Sequence, residues 1–361
     1  MLKDLGYEVS VYTLTHKGRL AARLEASGIE VEEPPFNRVF RGMPRILGRP
    51  MLGMVAALSL WWRLVRLRRA IVHYFLPEAY LIGSLCTLAA GRKHIRVMSR
   101  RSLNRYQRKY ALVSGLERAL HRRMSAICGN SKAVISELVE EGAPQERVVL
   151  VYNGVDISRF EPVESREAIR ARLDIPTGAL VMTVVANLIP YKGHADLLDA
   201  LAEIEGRLSD AWLMLWVGAD SGIADRLLSK AGSLGLERRL RWLGRRQDVP
   251  EILQASDIGI LCSHEEGFSN SVLEYMAASL PAIVTDTGGN AEAVVDGQNG
   301  RVVPVGATRD LAGAIVELAS DEGLRERMGK AARRLAEDRF SISDCVSGYD
   351  RLYRRLWLET G

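Results

Sequence analysis

The sequence predicts an α/β protein of two domains, each built on a parallel sheet. Three observations carry that reading. The chain has 361 residues, too many for one compact core and comfortable for two. Short apolar runs alternate throughout with helix-period segments, and buried apolar strands joined by crossover helices make parallel sheets. The runs also fall into two series. Residues 9–14, 71–74, 95–98, 126–128 and 148–151 form the first. Residues 180–186, 212–217, 240–243, 258–261, 282–285 and 301–303 form the second. Between them, 157–177 has two prolines, many charges and little strand pattern. The expected domains are therefore 1–157 and 178–342, with 158–177 as linker.

The elements follow in order. Residues 2–6 read as the last turn of a helix, stopped by Gly6. A helix tail leading into a strand implies an upstream strand and turn, so the first domain is expected to lack its first strand. In doubly wound sheets that first turn often carries a Gly-rich ligand loop. Apolar positions at i, i+3 and i+4 mark helices over 131–141, 195–204 and 311–319.

Apolar residues make up 47% of the chain and charged residues 26%, which excludes disorder, collagen and a disulfide-stapled miniprotein. The net charge of +5 hides an asymmetry. Residues 1–150 hold 25 Lys and Arg against 12 Asp and Glu, a net of +13; residues 151–361 hold 24 against 32, a net of −8. Cys86, Cys128, Cys262 and Cys345 each stand alone, which argues for reduced thiols and a cytoplasmic setting. The start has no apolar signal region. The most apolar stretch, 51–62, is too short to span a bilayer. It runs into Trp61-Trp62-Arg63-Leu64-Val65-Arg66-Leu67-Arg68-Arg69, which suits an anionic membrane surface or, more simply, a domain helix with its apolar face in the core. The Arg-rich stretch 103–123, with Tyr106 and Tyr110, matches no nucleic-acid motif.

Ligands of open parallel sheets bind at the carboxyl ends of the strands, so the loops there hold the candidates. After 180–186 come Asn187 and then Tyr191-Lys192-Gly193-His194. After 240–243 come Gly244 and Arg245. After 258–261 come Glu266-Gly267-Phe268-Ser269-Asn270-Ser271-Val272 and, on a helix, Glu274. After 282–285 comes Thr287-Gly288-Gly289-Asn290, opening another helix. Two helix N-termini offer amides and a positive dipole end to an anion. Lys192 and Arg245 add charge, and Glu266 and Glu274 accept from sugar or ribose hydroxyls. Residues 247–300 contain no Lys or Arg, so an anion there depends on backbone amides and on cations brought from 192 and 244–248. Individually these features have plain readings: a solvated loop lysine, a helix entry at Gly288-Gly289. Their co-occurrence at strand ends is the signal.

The spacing Glu266-x7-Glu274, followed by Met276-Ala277-Ala278-Ser279-Leu280-Pro281 and Thr285-Asp286-Thr287-Gly288-Gly289-Asn290-Ala291-Glu292, closely resembles the donor domain of retaining GT-B glycosyltransferases of the family 4 type. Tyr152-Asn153-Gly154-Val155-Asp156, Gly129-Asn130-Ser131 and Val72-His73 extend the resemblance over nearly the whole chain. It implies two Rossmann-like domains facing a cleft, with the last helix, 343–361, packing back on the first. It implies a nucleotide-sugar donor held mainly by the second domain and transfer with retained configuration. Glu266 would bond the donor sugar, Glu274 the ribose and Lys192 the diphosphate. The 269–272 amides would cap the diphosphate, and Gly244 and Arg245 would lie near the base. No metal or cofactor is expected, because cations and helix dipoles stabilise the leaving diphosphate.

The chain departs from the family pattern where Asn187 replaces the usual Arg; Arg245 is the available substitute. In the first domain, the loop with Arg100 and Arg101 replaces a His expected after the 95–98 strand; Arg100 or Arg101 is assigned to an anionic acceptor or to the donor phosphate, with His73 as an acceptor contact. The implied acceptor is a glycan or lipid-linked molecule, met by the basic half at an anionic membrane surface on the inner face; no nucleic acid is expected. Competing readings are an inactive nucleotide-binding remnant, a basic membrane- or polyanion-binding module, and a sugar-nucleotide epimerase of the same fold.

Overall fold

A computed structural model describes residues 1–36, 45–91, 93–103, 111–208 and 211–359. It is α/β throughout, and its three sheets are all parallel. The chain divides into two compact units. One comprises Met1–Gly129, Ile135–Val151 and Val346–Gly361; the other comprises Asn130–Val134 and Tyr152–Cys345.

The first unit carries strands β1 (Ser10–Tyr12), β2 (Glu30–Glu32), β3 (Ile71–Phe75), β4 (Ile95–Arg100), β5 (Ala126–Gly129) and β6 (Val148–Leu150). β1 and β2 pair with each other, and β3 to β6 form a separate sheet in chain order. Strand β2 escaped the sequence reading because it is Glu-Val-Glu, with only Val31 buried. Its Glu32 carboxylate pairs with Arg63 on the helix Arg45–Arg66. Near the start, Lys3–Leu5 forms a single 3-10 turn, and Gly6 closes it at φ 87° with its amide on the Lys3 carbonyl.

The last helix, Ile342–Glu359, starts in the second unit, and its residues from Val346 onward belong to the first. Tyr349, Leu352, Tyr353 and Leu356 are buried, one side of the helix at i, i+3, i+4 and i+7 spacing. Polar bonds fix its register on the first unit. His73 at the centre of β3 holds the Tyr353 hydroxyl at Nδ1, 2.6 Å, and the Ser99 hydroxyl at Nε2, 2.7 Å. Tyr7 donates to Asp350 at 2.8 Å.

The second unit is a six-stranded sheet in the order β12-β11-β10-β7-β8-β9. Its strands are β7 (Leu180–Val185), β8 (Trp212–Val217), β9 (Leu240–Trp242), β10 (Ile258–Leu261), β11 (Ala282–Thr285) and β12 (Gly300–Val303). Alternation along β7 and β8 serves two buried layers. Met182, Val184, Met214 and Trp216 enter the larger core, while Val181, Leu213, Leu215 and Val217 face the other. Both faces are covered, so these strands read as unbroken apolar runs. Removing a fully buried side chain such as Trp216 costs about 3–5 kcal/mol.

The segment 158–177, expected as linker, folds within the second unit, and the switch between units lies at Tyr152. It carries the helix Arg166–Arg172, whose Ile169 is fully buried against the sheet, with Ile175 beside it. Its charges are used as well. Arg166 and Arg170 both pair with Asp257, whose carboxylate accepts the Val181 amide at 2.7 Å. A two-turn helix with one inward isoleucine leaves too short a period to stand out from its arginines.

Candidate functional site

The chain enters the second sheet at β7, runs outward through β8 and β9, then returns to β10 on the other side of β7. The strand order therefore reverses between β7 and β10, the point where ligands of open α/β sheets bind. The loops leaving these two strands are stitched together. The His264 amide donates to the Tyr191 carbonyl at 2.7 Å, and the Cys262 thiol to the Gly193 carbonyl at 3.2 Å. Gly193 is required there: it sits at φ 72°, and a Cβ would stand 1.9 Å from the Cys262 carbonyl oxygen. After this tight passage the chain turns into the helix His194–Ile204.

That stitching sets Lys192 and Glu266 against each other. Their ammonium and carboxylate meet at 2.5 Å, and both side chains are largely buried. The same Glu266 oxygen accepts the Ser263 hydroxyl at 2.8 Å, a support that the sequence reading missed. A partly buried pair of this kind is a poised charge: either partner alone would carry an uncompensated desolvation cost. His194, next in the chain, lies in the core against Trp216, 5.0 Å between ring centroids. Burial pushes its pKa down to about 4.

Glu274 lies on the helix Asn270–Ala277, which follows the Glu266 loop. Among the described residues its carboxylate has no hydrogen bond or ion pair, and burial raises its pKa, with Arg159 opposing. An unpaired, desolvated carboxylate is costly unless a ligand supplies the missing donors. The first-turn amides of this helix have no intrahelical acceptors. The Ser271 hydroxyl is taken by the Val185 carbonyl at 2.5 Å, which ties the helix start to the end of β7. Phe268 is a buried anchor, packed against Tyr152 and Phe340. Asn153 was legible only as part of a motif. Its amide donates to the Phe268 carbonyl at 3.0 Å and to Asn270 Oδ1 at 2.9 Å, and so holds the loop from beneath. Tyr275, also unforeseen, accepts the Val185 amide and donates to the Ile260 carbonyl, clamping β7 to β10.

Other expectations need correction. Gly288-Gly289 does not open an anion site. The helix it precedes, Asn290–Ala293, is four residues long, and the Gly289 amide goes to the Gly267 carbonyl at 2.6 Å. The pair is glycine because of close approach: a Cβ on Gly288 would stand 1.9 Å from the Glu266 carbonyl oxygen. Asn187 is oriented by its Oδ1, which accepts the Ala219 amide at 2.9 Å; its side-chain amide can donate to an anion but brings no positive charge. Arg245 is exposed, after Gly244 at φ 66°, and makes no ion pair among the described residues, so it is available as a cation.

In the first unit, His73 has both ring nitrogens occupied, and its pKa is pushed down to about 3 by burial, with Arg101 adding to the effect. It locks the last helix rather than facing an acceptor. Arg100 is likewise committed. Its guanidinium, 8% exposed, lies 2.8 Å from Glu141, with Glu117 and Glu137 within 4.0 Å. Arg101 stays exposed, over the Phe75 ring. A cavity of about 210 Å³ opens between the ends of β3 and β4, lined by Leu76, Tyr80, Ser99 and Arg101. Leu76 is strained, at φ 73°, a cost of about 1–3 kcal/mol that clusters at functional positions. Tyr106 and Tyr110 lie outside the described residues. Among those described, no group of His, Cys, Asp or Glu could hold a metal ion.

The reversal point of this Rossmann-like sheet thus carries a half-buried lysine, two carboxylates and a helix start, at the place where ligands of such sheets bind. Two family models match consecutive parts of the chain. "Glycosyltransferase Family 4" matches residues 1–159 and "Glycosyl transferases group 1" matches 165–335. The chain belongs to the family 4 type of GT-B glycosyltransferases. It is 31% identical to the D-inositol 3-phosphate glycosyltransferase of Streptomyces bingchenggensis over 247 residues, covering 64% of this chain and 54% of that protein. It is 30% identical to the N-acetyl-alpha-D-glucosaminyl L-malate synthase of Bacillus anthracis, covering 62% and 58%. The aligned region thus spans little more than half of these curated relatives. Among solved structures, Anabaena HepE in complex with UDP superposes with a TM-score of 0.81 at 23% identity, covering 96% of this chain and 91% of that one. Sucrose-phosphate synthase of Thermosynechococcus elongatus gives 0.81 at 18%, covering 99% and 91%. Both share the GT-B fold.

Proposed function

We propose that the protein transfers a hexosyl group from a nucleoside-diphosphate sugar to a glycan or lipid-linked acceptor, with retained configuration and without a metal. The observation that carries this reading is the Lys192–Glu266 pair at the strand reversal, with Glu274, unpaired among the described residues, on the helix that follows.

Donor binding would exchange one set of partners for another. The diphosphate takes the Lys192 ammonium, a sugar hydroxyl takes Glu266, and the ribose hydroxyls supply the donors that Glu274 lacks. The Ser271 and Val272 amides meet the distal phosphate at the positive end of their helix, and Arg245 replaces the cation absent at Asn187. In the transfer step the bond from the anomeric carbon to the phosphate oxygen breaks, and the diphosphate leaves with the electron pair. The acceptor oxygen bonds to the same face of that carbon and passes its proton to the departing phosphate oxygen. Lys192 and the helix amides stabilise the charge as it develops. Support for an anionic acceptor comes from the exposed Arg101 beside the first-unit cavity and from the basic balance of residues 1–150. Acceptors bearing phosphate or carboxylate are also named for two of the relatives. An anionic membrane surface would present such an acceptor.

A thermal-shift series against UDP-, ADP- and GDP-sugars tests donor binding, since a ligand of the native state raises apparent stability. Turnover with the binding donor, followed by NMR of the product anomer, tests transfer and retention. Binding without transfer to any acceptor leaves the remnant reading; an inverted anomer removes the same-face step.

A further inference from the structure

The helix Arg45–Arg66 has two apolar faces, and only one is covered among the described residues. Ala56, Leu60 and Leu64, at i, i+4 and i+8, are buried against the first unit. Met51, Met54, Leu58, Trp62 and Val65 are spaced by three or four residues along the opposite face and are 39–58% exposed. Five large apolar side chains in one open row make a contiguous patch, unlike the scattered apolar residues of an ordinary surface.

The chain around the row is cationic. Residues 34–77 contain eight arginines and no Asp or Glu. Arg63 turns away to Glu30 and Glu32. Arg66 and Arg68 stay exposed, and the Arg66 guanidinium lies 4.6 Å from the Trp62 ring centroid. Arg69 lies 4.1 Å from that of Trp357, a second half-exposed tryptophan contributed by the last helix. Apolar row, tryptophans and arginine rim together form the pattern of a helix lying in the plane of a membrane interface. Among the described residues no helix is long and apolar enough to cross one. A second copy of this chain would bring a like-charged rim against this one, and a nucleic acid would leave the Met, Leu and Val row without a partner.

We propose that this face docks the protein onto an anionic lipid surface, the row inserting among the acyl chains and Arg66 and Arg68 meeting the headgroups. The proposal deepens the acceptor side of the glycosyl-transfer reading, but docking needs neither donor nor turnover. The test is co-sedimentation of the whole chain with phosphatidylcholine vesicles, with and without phosphatidylglycerol, at low and high salt. Thermal shift by UDP-, ADP- and GDP-sugars is read on the same samples. The unaltered chain should pellet only with the anionic vesicles and be released by salt. Leu58→Ser with Trp62→Ser should lower partitioning about tenfold or more, and Arg66→Gln and Arg68→Gln about fivefold each, with melting temperatures unchanged. The idea is overturned if the unaltered chain stays in the supernatant with anionic vesicles, or if the serine variant pellets as well as it does. A dimer that Trp62→Ser dissolves, without vesicle binding, overturns it too and assigns the row to a second copy. Loss of donor thermal shift with docking intact sinks the donor reading and leaves docking standing.

Discussion

Glu266 and Glu274 stand eight residues apart and are opposites in environment. Glu266 is satisfied by Lys192 and Ser263, while Glu274 has no hydrogen-bond or ion-pair partner among the described residues. Glu266→Gln keeps the size and loses the charge. It is expected to cut kcat about 10²–10³-fold while changing donor affinity much less; an equal loss in both, measured by steady-state kinetics and calorimetric titration, removes its transition-state role. Glu274→Gln is expected to weaken nucleotide binding about tenfold and to raise stability at neutral pH. The sign follows from its raised pKa. The native state disfavours the charged form, so stability falls as pH rises through the folded value and the burden is absent below about pH 4. Urea midpoints of the two forms should therefore differ at neutral pH and converge in acid. Both glutamates were legible from their spacing. The supports that Ser263 and Asn153 give were not, because a hydroxyl three residues upstream and an amide more than a hundred residues away leave no local pattern.

Strands β7, β8, β10 and β11 were legible within a residue because both faces are buried and the apolar runs are unbroken. Strand β2 was hidden by its two glutamates, and the 158–177 segment by its arginines. Whether the Gly288-Gly289 turn was an anion cradle or a packing necessity could be decided only by Gly267 and Glu266 pressing on it from the loop after β10. The last helix shows the same limit: its apolar spacing was readable, but its partner His73 was not. Because that histidine is held neutral down to about pH 3, the unfolded chain takes up a proton below about pH 6.5 that the native state refuses. Stability therefore falls as pH drops across that interval. His73→Gln should flatten the decline between about pH 7 and 5 in denaturant midpoints, while buried His194 keeps part of it. An unchanged slope would mean His73 is solvated. Tyr353→Phe, which deletes one bond to His73, is expected to cost about 0.5–1.5 kcal/mol.

The length and the charge split bounded the molecule well: two α/β units, one basic half. They did not show that the units are interleaved along the chain, since Asn130–Val134 is counted with the second and Val346–Gly361 with the first. A ligand held by the second unit should act selectively on thermal unfolding. At a hundredfold excess over Kd, a nucleotide sugar adds about 2.7 kcal/mol to the state that binds it. Scanning calorimetry should then show the donor-binding transition moving up and any separate first-unit transition staying in place. Equal movement of both would make the whole chain one cooperative block.

The stretch from Val346 onward also imposes an order of manufacture. The half of the protein that leaves the ribosome first must wait until that stretch has been made before Tyr349, Leu352, Tyr353 and Leu356 can cover it. The later half can close soon after Cys345 emerges. Biosynthesis thus completes the second unit before the first, the reverse of the usual N-to-C sequence. A ribosome stalled just short of Val346 would hold an open, apolar surface for chaperones to find.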